Sequence, residues 1–256
     1  MQALSTSIPL EKLIGKQVRL WSVRERIRRM SQKSAADPWD TAYVTISRTA
    51  GSKGSQVALE VARKLGWQVY GREIVDYIAR TAKVRRSVVE SFDEKRRSEI
   101  QSWIQTAIDR HALGHDRYLH HLLQVLLTIA EHGRAVIIGR GAHLVLPPER
   151  GVRVLITAPL ETRVNNLVRE HGLSRSEARR QVEKRDSERE RWLRHFFKTE
   201  ANDPTCFDLV INTGTWSVEE AAEVVVRALE VRLGSARPPV PVAEAEEVDL
   251  APTVQD

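Results

Sequence analysis

The alternation of apolar and polar positions between residues 43 and 233 divides the chain into short apolar runs and longer amphipathic stretches. Tyr43–Ile46 is short and β-branched, which suits a buried strand. Val57, Val61 and Leu65 then recur at helical spacing until Gly66 offers a C-cap. Gln68–Tyr70 predicts a second strand, and Gly71-Arg72-Glu73 opens a helix through Arg80. Residues 84–132 are helical in pattern without a strand signal, ending in the apolar run Leu122–Leu127 before Gly133. Ala135–Gly139, continuously apolar, predicts a strand buried on both faces, followed by strands at Val152–Thr157 and Phe207–Asn212. Between these last two lie a helix carrying Glu161, Arg163 and Arg169, a turn with Ser174 as N-cap, and a charged helix from Arg175 to about Lys198. Ser217 caps a closing helix over Val218–Leu233, with Glu219 and Glu220 in its first turn. Strands alternating with helices predict an α/β fold: a five-stranded parallel sheet flanked by helices, spanning residues 41–234.

The two ends read differently. In residues 1–40, Leu20, Val23, Ile27 and Met30 share one helical face, and Lys16, Arg19, Arg24, Arg26, Arg28 and Arg29 crowd the rest. A basic amphipathic helix of this kind, over residues 12–33, suits a membrane surface or an acidic protein partner; a helix packed on the domain explains the same pattern. Asp37-Pro38 ends it. Residues 235–256 are Pro-rich and then acidic, with Glu244, Glu246, Glu247 and Asp249, a composition that predicts a disordered tail.

Composition narrows the function classes. The 256 residues carry a formal charge of +6, which suits an anionic partner, either nucleotide or nucleic acid. No recognition helix or stacking-aromatic motif is present, so nucleic acid is not the expected partner. The single cysteine, Cys206, excludes a disulfide framework within one chain and fits a reducing, cytoplasmic setting. No apolar run approaches a membrane span, and the N-terminus lacks the layout of a secretion signal. His111 and His115 have the i,i+4 spacing of a helical metal pair, near His120 and His121, but no acidic partner accompanies them.

Candidate chemistry concentrates in Ala50-Gly51-Ser52-Lys53-Gly54-Ser55, small residues between strand and helix that let backbone amides approach a phosphate. The pattern GxxxxGK[ST] is not met. Laid over it without gaps, Arg48 stands on the first glycine, Lys53 on the last, Gly54 on the lysine and Ser55 on the hydroxyl that holds metal. Arg140 follows a buried strand and so falls at the sheet edge where ligands of open α/β folds collect. Arg185, Asp186 and Arg189 share one helix face, either a solvated salt-bridged surface or a lid that brings guanidinium groups to phosphates.

In order and spacing these pieces resemble the P-loop nucleoside monophosphate kinases, most closely the cytidylate-kinase-like family, from about Tyr43 to Leu233. The likeness rests on Ile46-Ser47-Arg48 with Gly51-Ser52-Lys53-Gly54, on Leu65-Gly66, on the strand ending Gly139-Arg140-Gly141, on Arg185-Asp186-x-x-Arg189 and on Phe207–Thr213. It implies a P-loop fold with residues 84–132 as a helical insertion on the acceptor side and 172–200 as an arginine-rich lid. It further implies that Arg48 and Gly51, Ser52, Lys53, Gly54 and Ser55 hold ATP, with Mg2+ at Ser55. Arg140, Arg163 and Asp186 would take the acceptor, and Lys53, Arg185 and Arg189 would act on the transferred group. Arg189 stands about where cytidylate kinases place a base-reading aspartate, and Gly71 where relatives have an acidic residue, so the acceptor need not be CMP. The expected activity is transfer of the γ-phosphate of ATP to a nucleoside monophosphate or another small phosphorylated acceptor. The alternative is a catalytically impaired nucleotide-binding regulatory or scaffold protein of the same fold. The sequence carries no signal for oligomeric state.

Overall fold

The computed structural model describes residues 10–30, 37–92, 94–110, 116–235 and 238. Five parallel strands, β1 (Tyr43–Arg48), β2 (Gln68–Tyr70), β3 (Ala135–Ile138), β4 (Gly151–Thr157) and β5 (Leu209–Asn212), form one sheet in the order β2-β3-β1-β4-β5. β1 lies centrally, with Ile46 beside Ile138 of β3 and Arg48 beside Ile156 of β4. The last strand starts two residues later than its apolar pattern predicts. Phe207 turns in to stack on His143, with ring centroids 4.6 Å apart. The Asp208 carboxylate accepts from the Arg153 amide at 2.8 Å, a side-chain substitute for a ladder bond.

Alternate residues of the sheet feed two cores. On one face Val44, Ile46, Val136, Ile138, Val154 and Ile156 pack against α2 (Gly54–Leu65) and α10 (Val218–Leu233), whose first turn is closed by a Ser217/Glu220 capping box. On the other, Tyr43, Ala135 and Ile137 meet the helical insertion: α3 (Arg72–Arg80), α4 (Ala82–Val89), α5 (Glu94–Arg110) and the apolar α6 (Arg117–His132). After β3 comes the short α7 (Ala142–Val145). α8 (Leu160–His171) and α9 (Arg175–Phe197) pair over a small third core of Val164, Leu167, Ala178 and Val182, which also takes in Ala50. α9 opens with a Ser174/Glu177 capping box.

The N-terminal helix α1 (Leu10–Met30) docks on the domain by a face different from the one its apolar residues suggest. Ile14 and Trp21 are buried, with Val18 packed beside them, and the Trp21 ring stacks at 4.2 Å on His132. His132 is sandwiched from its other side by Phe92 at 3.9 Å. Leu20 and Val23 face outward. Tryptophan brings the largest area per residue, so its placement sets the inner face. The side chains of residues 24–30, His111 and His115, and the acidic stretch after residue 238 lie outside the described residues. Among the described residues no helix is long and apolar enough to cross a membrane, and no group of three or more His, Cys, Asp or Glu could hold a metal ion.

Candidate functional site

The carboxyl ends of three neighbouring strands converge, and each carries part of the site. β1 delivers Arg48 and the loop that follows, β3 delivers Gly139-Arg140-Gly141, and β4 delivers Thr157. The strands continue briefly into these segments: the Thr49 amide donates to the Ile156 carbonyl at 3.0 Å, and the Gly139 amide to the Ile46 carbonyl at 3.0 Å.

The loop between β1 and α2 is shaped from outside. Arg163 Nη1 donates to the Ala50 carbonyl at 3.1 Å, Asn166 Nδ2 to that of Gly51 at 2.8 Å, and Thr213 Oγ1 to that of Ser52 at 2.6 Å. The carbonyls of Ala50, Gly51 and Ser52 are thus held by side chains from outside the loop, and the Ser52 amide is spent on the Thr49 carbonyl at 3.2 Å. The Ala50 amide, on the outer side, donates to Asp186 Oδ1 at 2.9 Å, while Asp186 Oδ2 accepts from Arg163 at 2.5 Å. Gly51 has φ +75°, and a β-carbon there would lie 2.6 Å from the Arg163 carbonyl, so only glycine fits. The Ser52 hydroxyl points away from the loop, donating to the Thr49 carbonyl at 2.8 Å. Lys53 caps α2 in the left-handed region (φ 59°, ψ 19°), a conformation that favours glycine. Its ammonium makes no hydrogen bond or ion pair among the described residues. Ser55 is buried, and its hydroxyl accepts from Arg48 Nε at 3.1 Å.

Across from the loop, Arg140 also takes a left-handed backbone (φ 53°) between two positive-φ glycines. Its guanidinium pairs with Asp76 of α3 and lies 5.0 Å over the Trp192 ring of α9. Asp76 Oδ1 accepts from the Tyr118 hydroxyl at 2.7 Å, and Arg80 stands 5.4 Å over the Tyr118 ring. Burial pushes the Tyr118 phenol up, so it remains a donor. Gly141 leaves room for Phe197, 2.5 Å from where a β-carbon would sit, which fixes the end of α9 against this turn.

α9 joins the two halves. Arg189 donates to the Arg48 carbonyl and to Asn202. Burial brings the Arg189 guanidinium down to about 10; Asp186 opposes that fall, and Arg48 adds to it. Arg140 Nε, Arg185 Nη1 and Arg189 Nε are buried donors without an acceptor among the described residues. Buried N–H groups are almost always paired, so each of these guanidinium N–H groups is open to an oxygen acceptor. Beneath the seam, His143 of α7 is buried, with Nδ1 3.2 Å from the Ser47 hydroxyl of β1. Burial, and then Arg189 and Arg153, push His143 down to about 3, so it is a neutral imidazole at pH 7.

Residues 43–215 match the cytidylate kinase-like family. The chain belongs to that family. This cytidylate kinase-like protein is 24% identical over 194 residues to the cytidylate kinase of Pyrococcus horikoshii, covering 75% of this chain and 91% of that one. Similarity to the Archaeoglobus fulgidus cytidylate kinase is 24% over 189 residues, covering 74% and 95%. Among solved structures, an uncharacterized protein from Eubacterium ventriosum superposes with a TM-score of 0.59 at 20% identity, covering 75% of this chain and 99% of that one.

The structure brings Arg48, Lys53, Gly54 and Ser55 into the strand-to-helix turn and sets Arg163 and Asp186 against its outer side, where they hold the main chain. It adds residues absent from the sequence expectation: Asp76, Tyr118, Trp192, Asn166, Thr213 and His143. Asp76 is 64 residues from Arg140, and Thr213 is 161 from Ser52. No local spacing signals such pairs, although Tyr118, Trp192 and Thr213 lie within segments that the family likeness marked.

Proposed function

We propose that this cytidylate kinase-like protein transfers the γ-phosphate of ATP to a nucleoside monophosphate of CMP type or another small phosphorylated acceptor. The observation that carries the reading is the set of unpaired, buried guanidinium donors on Arg140, Arg185 and Arg189, beside a loop whose carbonyls are held from outside. Polyphosphate is the ligand class that matches so many donors, and phosphoryl transfer mainly requires positioning and charge neutralisation.

In this reading the amides of Gly51 and Lys53 and those opening α2 cradle the donor phosphates. Arg140 takes the acceptor phosphate, and Arg185 and Arg189 flank the transferred group while excluding water. An acceptor phosphate oxygen forms the new P–O bond as the bond to the ADP oxygen breaks, with no covalent enzyme intermediate. Magnesium would supply further charge neutralisation. Ser55 Oγ already accepts from the Arg48 guanidinium, so the ion would be held chiefly through phosphate and water oxygens.

The test is transfer from labelled ATP and magnesium to a panel of nucleoside and non-nucleoside monophosphates, with Arg140→Ala as control. Transfer to one acceptor that the control abolishes is expected and names the substrate. Tight ATP binding without transfer to any acceptor would instead support the regulatory reading.

A further inference from the structure

A second concentration of cations lies on the helical insertion, apart from the residues assigned to phosphate transfer. Arg80 ends α3, Lys83, Arg85 and Arg86 lie on α4, and Arg117, His120 and His121 lie in the first turns of α6. α3 and α4 both pack on α6, which brings these side chains to one junction. Arg85 is partly buried, and its Nη1 donates to the Ala79 carbonyl at 2.6 Å, at the carboxyl end of α3. Burial pulls the Arg85 guanidinium down from its ordinary value, and Arg117 and Arg86 add to the fall. Burial, then Arg85 and Arg117, then His120 hold the His121 imidazole down in the same way. Tyr118 separates this cluster from the sheet-edge site, with its ring beneath Arg80 and its hydroxyl on Asp76.

No carboxylate answers this charge. Among the described residues Arg80, Lys83, Arg85, Arg86 and Arg117 form no ion pair. Asp76 is held by Arg140 and Tyr118, and Asp116 caps α6 by accepting from the Leu119 amide at 2.8 Å. Elsewhere the partly buried guanidinium groups are matched: Arg150 with Glu131, Arg153 with Asp208 and Arg163 with Asp186. Charges of one sign gathered at a junction repel, and where burial already acts on Arg85 solvent offsets that repulsion only in part.

We propose that the junction of α3, α4 and α6 is a second anion site, in which Arg85 and Arg117, with Arg80 at the edge, hold a phosphate group. Phosphate suits the place because its oxygens accept from several guanidinium forks at once, and the amino-terminal dipole of α6 adds to the attraction. The site draws neither on the loop between β1 and α2 nor on Arg140, so it stands whether or not the protein transfers phosphate.

The probe is pyrophosphate, followed by calorimetry and by NMR titration of the His121 imidazole, whose signal is assigned by its loss in His121→Gln. Binding is expected to raise the His121 titration midpoint, because an anion there opposes Arg85 and Arg117. Arg117→Gln, at an exposed position, should weaken pyrophosphate binding at this site by about tenfold, and Arg85→Gln by at least as much. The double variant should lose the His121 response, with thermal melting confirming that it is folded. Repetition with CDP identifies the source of the phosphate: tighter binding than pyrophosphate by the same cations assigns it to a nucleotide, and equal binding to an inorganic ion. A His121 midpoint that pyrophosphate does not move would overturn the proposal, as would pyrophosphate binding that neither arginine variant weakens. A His121 response to a random oligonucleotide alone would overturn it too, and make the junction a nucleic-acid contact.

Discussion

Two arginine–aspartate pairs flank the site, and they do different work although they are similarly buried. Arg163 and Asp186 retain 13% and 26% side-chain exposure, Arg140 and Asp76 14% and 18%. The difference lies in the second oxygen of each carboxylate. Asp186 spends it on the Ala50 amide, so that pair fixes main chain in the loop between β1 and α2. Asp76 spends it on the Tyr118 hydroxyl, so that pair holds a side chain that can let go. A carboxylate on backbone sets the shape of a site; one on a guanidinium sets how readily that guanidinium meets a ligand.

Breaking the first pair has the largest expected effect on turnover. Asp186→Ala leaves Arg163 and the Ala50 amide without their acceptor, at a cost of about 3 kcal/mol in stability. Turnover should fall with it by roughly 10²–10³-fold, as the loop loses its geometry. Denaturant unfolding beside steady-state transfer checks both. Unchanged turnover would mean that the carbonyl contacts of Asn166 and Thr213 hold the loop alone.

The seam between the halves yields the next effect. His143 is pushed down to about 3, far below the ordinary value near 6.5, so between these pH values the unfolded chain binds a proton that the folded chain does not. The stability held above pH 6.5 is therefore lost progressively as pH falls toward 3, on the order of 4 kcal/mol in all. His143→Gln should flatten that part of the stability–pH curve, which urea unfolding at stepped pH measures. An equal slope in both proteins would place the acid sensitivity elsewhere.

The smallest effect sharpens the second pair. In the proposed function an acceptor phosphate competes with Asp76 for Arg140, so Asp76→Asn should lower the acceptor KM by about tenfold at most, with kcat little changed. A raised KM would show that Asp76 itself contacts the acceptor.

Much of this arrangement was legible beforehand, and the reason differs by element. Buried parallel strands write themselves as apolar runs, which is why β3 and β4 fell where expected within a residue and β1 began at Tyr43, running two residues past Ile46. β5 began late because Phe207 and Asp208 serve partners outside the sheet, His143 and Arg153. In α1 periodicity indicated a helix but not its inner face, since a face with Leu20 and Val23 and one with Ile14, Val18 and Trp21 both satisfy helical spacing. The α9 charges show the limit of pattern alone. Arg185, Asp186 and Arg189 read equally as a solvated surface, and became part of a site only when Asp186 was seen on the Ala50 amide.

By itself the sequence determined the strand-loop-helix order, the glycines at the turns and the crowding of arginines in three segments, because backbone propensity and amphipathic spacing act over a few residues. The tertiary structure alone decided which arginines keep unpaired donors and which carboxylate closes which cation. Those outcomes depend on atoms brought together from positions up to 161 residues apart, and burial then sets the energy of each contact.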